Sequence, residues 1–135
     1  MLEKYALFNY AVEIDKEKTQ QWYMCAEEWG CACGDCMNFL ELAKRKALPE
    51  KTLETLSAFG IPPEKATYVC HLIEENGEHL YQFSYRIAGN ILTGDAAPAA
   101  ADVRCCHETY PYGAPGFPEP HFDLEWYVKL PWVIA

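Results

Sequence analysis

Two runs rich in β-forming residues, Ala66–Glu74 and Glu78–Ile87, flank the pair Asn76-Gly77. A two-residue type I′ turn needs positive φ at both central positions, and Asn-Gly is the pair that tolerates it best. A β-hairpin follows, and no other stretch restricts the fold as strongly. In its second arm Tyr81, Phe83, Tyr85 and Ile87 recur at every second position and so share one face. A row of large apolar side chains on one face needs a layer packed over it, so the hairpin belongs to a sheet with a covered side. His71 and His79 stand on opposite arms, where they can face each other or sit apart at the rim.

Two further segments alternate. In Lys4–Ile14, the residues Phe8, Tyr10, Val12 and Ile14 oppose Asn9, Ala11 and Glu13. Near the end of the chain, Phe122, Leu124, Trp126, Val128 and Leu130 oppose Asp123, Glu125, Tyr127 and Lys129. Each reads as a strand with one buried and one wet face, and their similarity makes pairing between them plausible.

Helical spacing fills the interval between the first strand and the hairpin. Asp15 is placed to cap a helix over 16–29 with Trp22, Ala26 and Trp29 inward and Gly30 as its stop. Asp35 is placed to cap a second, from Cys36 to Ala47, with Met37, Leu40, Ala43 and Ala47 inward. A third takes Pro49 in its first turn, is anchored by Leu53 and Leu56, and ends at Phe59-Gly60. Beyond the hairpin, Ala96–Val103 reads as a short helix. Residues His107–His121, with their prolines and with Tyr110, Tyr112 and Phe117, read as a long ordered loop. The order predicts one α+β domain over residues 1–135, in two layers: a roughly four-stranded, mainly antiparallel sheet with about three helices on one face.

A chain of 135 residues, half of them hydrophobic, can bury a core without covalent staples. Its formal charge of −9 argues against a nucleic-acid partner. The basic run Lys44-Arg45-Lys46, with Lys51 close behind, suits the end of a helix, where it complements the dipole. No apolar run approaches the ~20 residues of a bilayer span, and no membrane association is expected. Residues Ala6–Val12 lack the basic region and cleavage site of an export signal. Seven cysteines without such a signal point to a reducing compartment, the cytoplasm.

The chemistry lies in the thiols. Cysteines at 25, 31, 33 and 36 give the pattern C-x5-C-x-C-x2-C, and Cys105-Cys106-His107 forms a second group, with Cys70 alone on the hairpin. A C-x2-C pair on a turn supplies two ligands of a zinc tetrahedron, and Cys31 or the second group can complete it. The set named for a metal is Cys31, Cys33, Cys36 and Cys106, with Cys105 turned inward and the second group beside the first. The same residues admit a redox reading, because Cys33-Gly34-Asp35-Cys36 begins a helix whose dipole stabilises thiolate. Against it, Asp35 disfavours that charge, and a helix separates the motif from the preceding strand. They also admit a third reading, in which the cysteines simply pack as small hydrophobes. Cys36 and His107 can be drawn as a nucleophile pair only if the fold joins them. Glu27-Glu28 and Glu74-Glu75 read as solvated faces, and glycine-rich phosphate loops are absent.

The run from Cys31 to Phe39, the stretch Leu56-Ser-Ala-Phe-Gly-Ile-Pro-Pro-Glu-Lys65 and the ending Leu130-Pro-Trp-Val133 together resemble a family of small uncharacterised proteins from anaerobic Gram-positive bacteria. In that family a C-x-C-x-x-C-x-N-F stretch opens a helix, a G-I-x-P-x-K turn follows and L-P-W closes the chain. The resemblance implies a bacterial source and carries no activity and no catalytic residues. The expectation for function is a non-enzymatic interaction module, with a protein partner, whose thiol turn is packed or holds zinc. The alternative is a thiol redox or metal-dependent enzyme centred on Cys33 and Cys36.

Overall fold

The computed structural model describes residues 1–93, 102–107, 110 and 112–135. In chain order its elements are β1 (Leu2–Leu7), β2 (Tyr10–Asp15), α1 (Lys16–Cys25), α2 (Gly34–Lys44), α3 (Glu50–Ala58), β3 (Tyr68–Glu75), β4 (Glu78–Ile91), β5 (Val103–Cys106) and β6 (His121–Leu130). The class is α+β, as the sequence implies, but the described residues form six strands rather than four, and every pairing is antiparallel.

The extra strands have identifiable origins. The segment read as one strand over Lys4–Ile14 is a hairpin, turning at Phe8 and Asn9 with φ of 47° and 71°. Apolar alternation runs straight through this turn, and Asn9 tolerates the left-handed region, so no glycine marks it. The other addition is β5, which pairs with β6 from Val103↔Trp126 to Cys106↔Asp123. The short helix expected at Ala96–Val103 falls largely on 94–101, outside the described residues, and its last residue opens β5.

The spine is β4. Along one edge it pairs with β6 over ten residues, from His79↔Leu130 to Ala88↔His121. Its other edge is shared: β3 takes the first half, and β2 takes the second through Val12↔Ile91 and Ile14↔Gly89. The first and last strands therefore do not meet. Gly89 makes the β2 junction possible, since at φ +149° a Cβ would collide with the Glu13 carbonyl. The strand continues two residues past this glycine, to Ile91, beyond the run Glu78–Ile87 read from the sequence.

Tyr81, Phe83, Tyr85 and Ile87 are wholly buried on one face, with Val103, Cys105, Phe122, Leu124, Trp126, Val128 and Leu130 beside them. Helix α2 lays Phe39 against Phe83, at 4.9 Å between rings. Helix α1 docks through polar groups instead. The Tyr23 hydroxyl donates to the Arg86 carbonyl at 2.8 Å, and the Ala88 N–H donates to Thr19 Oγ1 at 3.0 Å. Those two are its fully buried residues; of the expected stripe, Trp22 and Trp29 pack on the core only partly buried, and Ala26 and Trp29 lie beyond the helix, which ends at Cys25 rather than 29. Asp15 caps it as expected, accepting from the Lys18 N–H at 3.0 Å.

The opposite face departs from its reading as wet. Asp123 and Glu125 are buried there. Asp123 pairs with the buried Arg86 at 2.8 Å, and Glu125 accepts from Gln82, Ser84, Arg104 and Tyr127. Polar residues in an alternating strand look solvated from sequence, and only the flanking strands show that each has protein donors.

Candidate metal centre

Helix α2 begins one residue before Asp35. Its N-cap is Cys33, whose Sγ accepts from the Cys36 N–H at 3.4 Å, so the cap position expected of Asp35 is occupied by a thiol. This turns the helix relative to the expected stripe: Cys36, Asn38, Phe39, Leu42 and Ala43 face inward, and Met37 is exposed.

The same cap gathers the sulfurs. Cys31, Cys33 and Cys36 lie within 4.8 Å of one another, and Cys31 Sγ and Cys33 Sγ share a hydrogen bond at 3.4 Å. In a tetrahedral centre with metal–sulfur bonds near 2.3 Å, neighbouring sulfurs stand about 3.8 Å apart. The sulfurs thus need to shift by no more than about 1 Å to reach the spacing that a thiophilic ion requires. Cys31 and Cys33 are exposed and Cys36 is buried, so the triad opens outward.

Electrostatics divides the three. The backbone N–H of Cys33, followed by the Cys33 and Cys36 thiols, hydrogen-bonds the Cys31 sulfur and lowers its pKa. Burial pushes Cys36 up to about 12, and the neighbouring thiols add to that shift, while the Trp29 indole opposes it. Trp29 Nε1 is buried with no acceptor at bonding distance among the described residues, and its indole N–H lies close enough to the Cys36 sulfur to lower the thiol's pKa. Three thiolates this close repel one another, and a bound cation removes that repulsion.

Several segments hold the turn. Tyr81, in β4, donates to the Asp35 carbonyl at 2.6 Å. Asn38 Nδ2 donates to the Pro131 carbonyl at 3.0 Å, and Asn38 Oδ1 accepts from the Val133 N–H at 2.7 Å. The Trp132 ring lies against Gly34. Upstream, the backbone N–H of Trp29 donates to the Glu64 carbonyl at 2.9 Å, and Lys65 Nζ donates to the Tyr23 carbonyl at 2.6 Å. Of the stretches that carried the family resemblance, the last thus packs on the thiol turn, and the middle one anchors the segment just upstream of it. The sequence places Trp29 in the inward stripe of the first helix and Asn38 only in the family's motif, and it marks neither for a role at the thiols.

Cys106 does not join the cluster. It stands opposite Asp123 in β6, whereas Tyr81, which touches the turn, stands opposite Val128. Positions 123 and 128 are about 17 Å apart at the ~3.3 Å rise of a strand. Cys106 also lies on the other face of the sheet, the one shared by Asp123 and Arg86. The expectation that Cys105-Cys106-His107 lies beside the turn is corrected: a short strand at the far edge carries these cysteines away. Cys105 does turn inward, and burial pushes both thiols up to about 12. Cys70 is half-buried opposite Gln82, and Cys25 is exposed at the end of α1.

His71 and His79 do face each other, with Nε2 of the first 2.9 Å from Nδ1 of the second. The Asp35 carboxylate lies 3.9 Å from His71 Nδ1. No helix among the described residues is long and apolar enough to cross a membrane. No protein-family model, curated protein or solved structure matches the chain.

Proposed function

We propose that this protein is a thiolate metal-binding domain in which Cys31, Cys33 and Cys36 hold zinc. The observation that supports it is the gathering of three sulfurs within 4.8 Å on a helix cap braced by strand β4 and by the segment from Pro131 to Val133. Three thiolates leave one tetrahedral position free. Because Cys31 and Cys33 are exposed, that position faces solvent, where water or a side chain of a protein partner completes the centre. The Trp29 N–H beside Cys36 donates to the metal-bound thiolate and tunes it from outside the coordination sphere. This is the interaction-module reading of the sequence, with the metal at the contact surface.

The test is a titration of reduced protein with Co²⁺ and then Zn²⁺. One equivalent of Co²⁺ should give thiolate charge-transfer absorption and the intense visible bands of a tetrahedral site, both displaced by Zn²⁺. Loss of these bands in Cys31→Ser/Cys33→Ser assigns the ligands. A protein that instead cycles reversibly through a Cys33–Cys36 disulfide and takes up no metal overturns the proposal in favour of redox chemistry.

A further inference from the structure

We propose that His71 and His79 form a second metal site, for a divalent ion of the nickel or copper type, with a ligand set distinct from that of the thiolate centre. The pair exists because of an irregularity in the hairpin. In the regular register set by the Asn76-Gly77 turn, Glu75 meets Glu78, Glu74 meets His79 and Ile73 meets Leu80, which would put His71 opposite Gln82 on the polar face. A bulge between His71 and Ile73 inserts Leu72, half exposed, and moves His71 opposite Tyr81 instead. Both imidazoles then share the face of Tyr81. A bulge gives up regular pairing and re-aims a side chain, which is a recurrent feature of functional sites.

The geometry suits a metal. Ring nitrogens bind first-row ions at about 2.0–2.1 Å. Two nitrogens 2.9 Å apart, as His71 Nε2 and His79 Nδ1 are, then subtend about 90° at the ion. That angle is the cis angle of square-planar and octahedral centres and is tighter than a tetrahedron allows, which favours the tetragonal ions over zinc. Behind His71, the Asp35 carboxylate faces Nδ1 at 3.9 Å, on the side away from His79. That separation is longer than a hydrogen bond, so the carboxylate acts here through its charge, which favours the tautomer with the proton on Nδ1 and the lone pair on Nε2; a small approach would give the arrangement usual behind a ligating histidine. The imidazoles open onto a cleft of about 500 Å³ lined also by Glu74, Gly77 and Trp132, which leaves room for water in the remaining positions. Trp132 covers one side of His79 at 4.9 Å between rings. On binding, two metal–nitrogen bonds form in place of two metal–water bonds, and the proton on His79 Nδ1 that bridges the two nitrogens is replaced by one on His79 Nε2, so both imidazoles stay neutral and the two waters pass to solvent.

The experiment uses the full chain with Cys31→Ser/Cys33→Ser, so that failure of the thiolate proposal leaves the outcome readable. Calorimetric titration with Ni²⁺ should show one site, weakened at least about tenfold by His79→Gln or His71→Gln and about tenfold by Asp35→Asn. Imidazole ¹⁵N spectra of the background protein, which need no histidine variant to fold, should show His71 and His79 broadened by Ni²⁺ while His121 is unaffected. Absence of Ni²⁺ binding, unchanged affinity in folded His71→Gln and His79→Gln proteins, or Ni²⁺ broadening that spares both imidazoles overturns the proposal.

Discussion

Cys33 has two duties that a single substitution separates. As an N-cap it needs only an acceptor, and serine is among the best caps, so Cys33→Ser should leave metal-free stability within about 1 kcal/mol of the parent. As a ligand it needs thiolate, so the same change should abolish tight zinc binding. Thermal melts with and without metal read both effects. Asn38 shows the reverse case, a purely structural residue at the same site. Its amide satisfies the Pro131 carbonyl and the Val133 N–H, so Asn38→Ala should cost about 2–3 kcal/mol and release the segment around Trp132. Chemical denaturation gives the cost, and Trp132 proteolytic accessibility gives the release. Cysteine spacing exposed the triad to a reading of the sequence. The brace around it stayed hidden because hydrogen bonds spanning more than ninety residues leave no local pattern.

At the scale of elements, the two glycines of β4 and its turn have different reasons to be glycine. Gly77 sits at φ +80° with open space around it, so Gly77→Val should cost only the backbone strain, about 1–2 kcal/mol. Gly89 lacks that space, and Gly89→Val should separate β2 from β4 and lower the melting temperature far more. Paired melts of the two variants decide whether strand contact or turn conformation dominates. The second hairpin was legible because Asn76-Gly77 punctuates it. The first was not, because Phe8 and Asn9 turn the chain without breaking its alternation. Helix α1 was legible at its cap and misjudged at its face. Its buried residues, Thr19 and Tyr23, dock through hydrogen bonds that hydrophobic periodicity cannot register.

At the scale of the whole molecule, the buried polar face makes stability depend on pH. Burial by itself would raise the Glu125 pKa, but hydrogen bonds from Gln82, Arg104 and Tyr127, together with the Arg104 charge, outweigh it and hold the carboxyl below its ordinary 4.5. A lowered folded pKa means stability that is present above about 4.5 and lost as pH falls through the folded value. Glu125→Gln should therefore lose about 1–3 kcal/mol at neutral pH and show a shallower decline below 4.5 than the parent, measured by denaturation across pH. The long shared strand β4 bears on the order of events in time. Only residues 12–14 pair β2 to it, against residues 89–91, and that contact closes a span of more than seventy residues, whereas β3 joins it through a two-residue turn. Closing the longer loop is the slower step, so the hairpin and β6 should assemble first and the β1–β2 unit should dock last. The same asymmetry should persist in the native state, with amides of β4 facing β6 exchanging with solvent most slowly and those of β1 opening well before global unfolding.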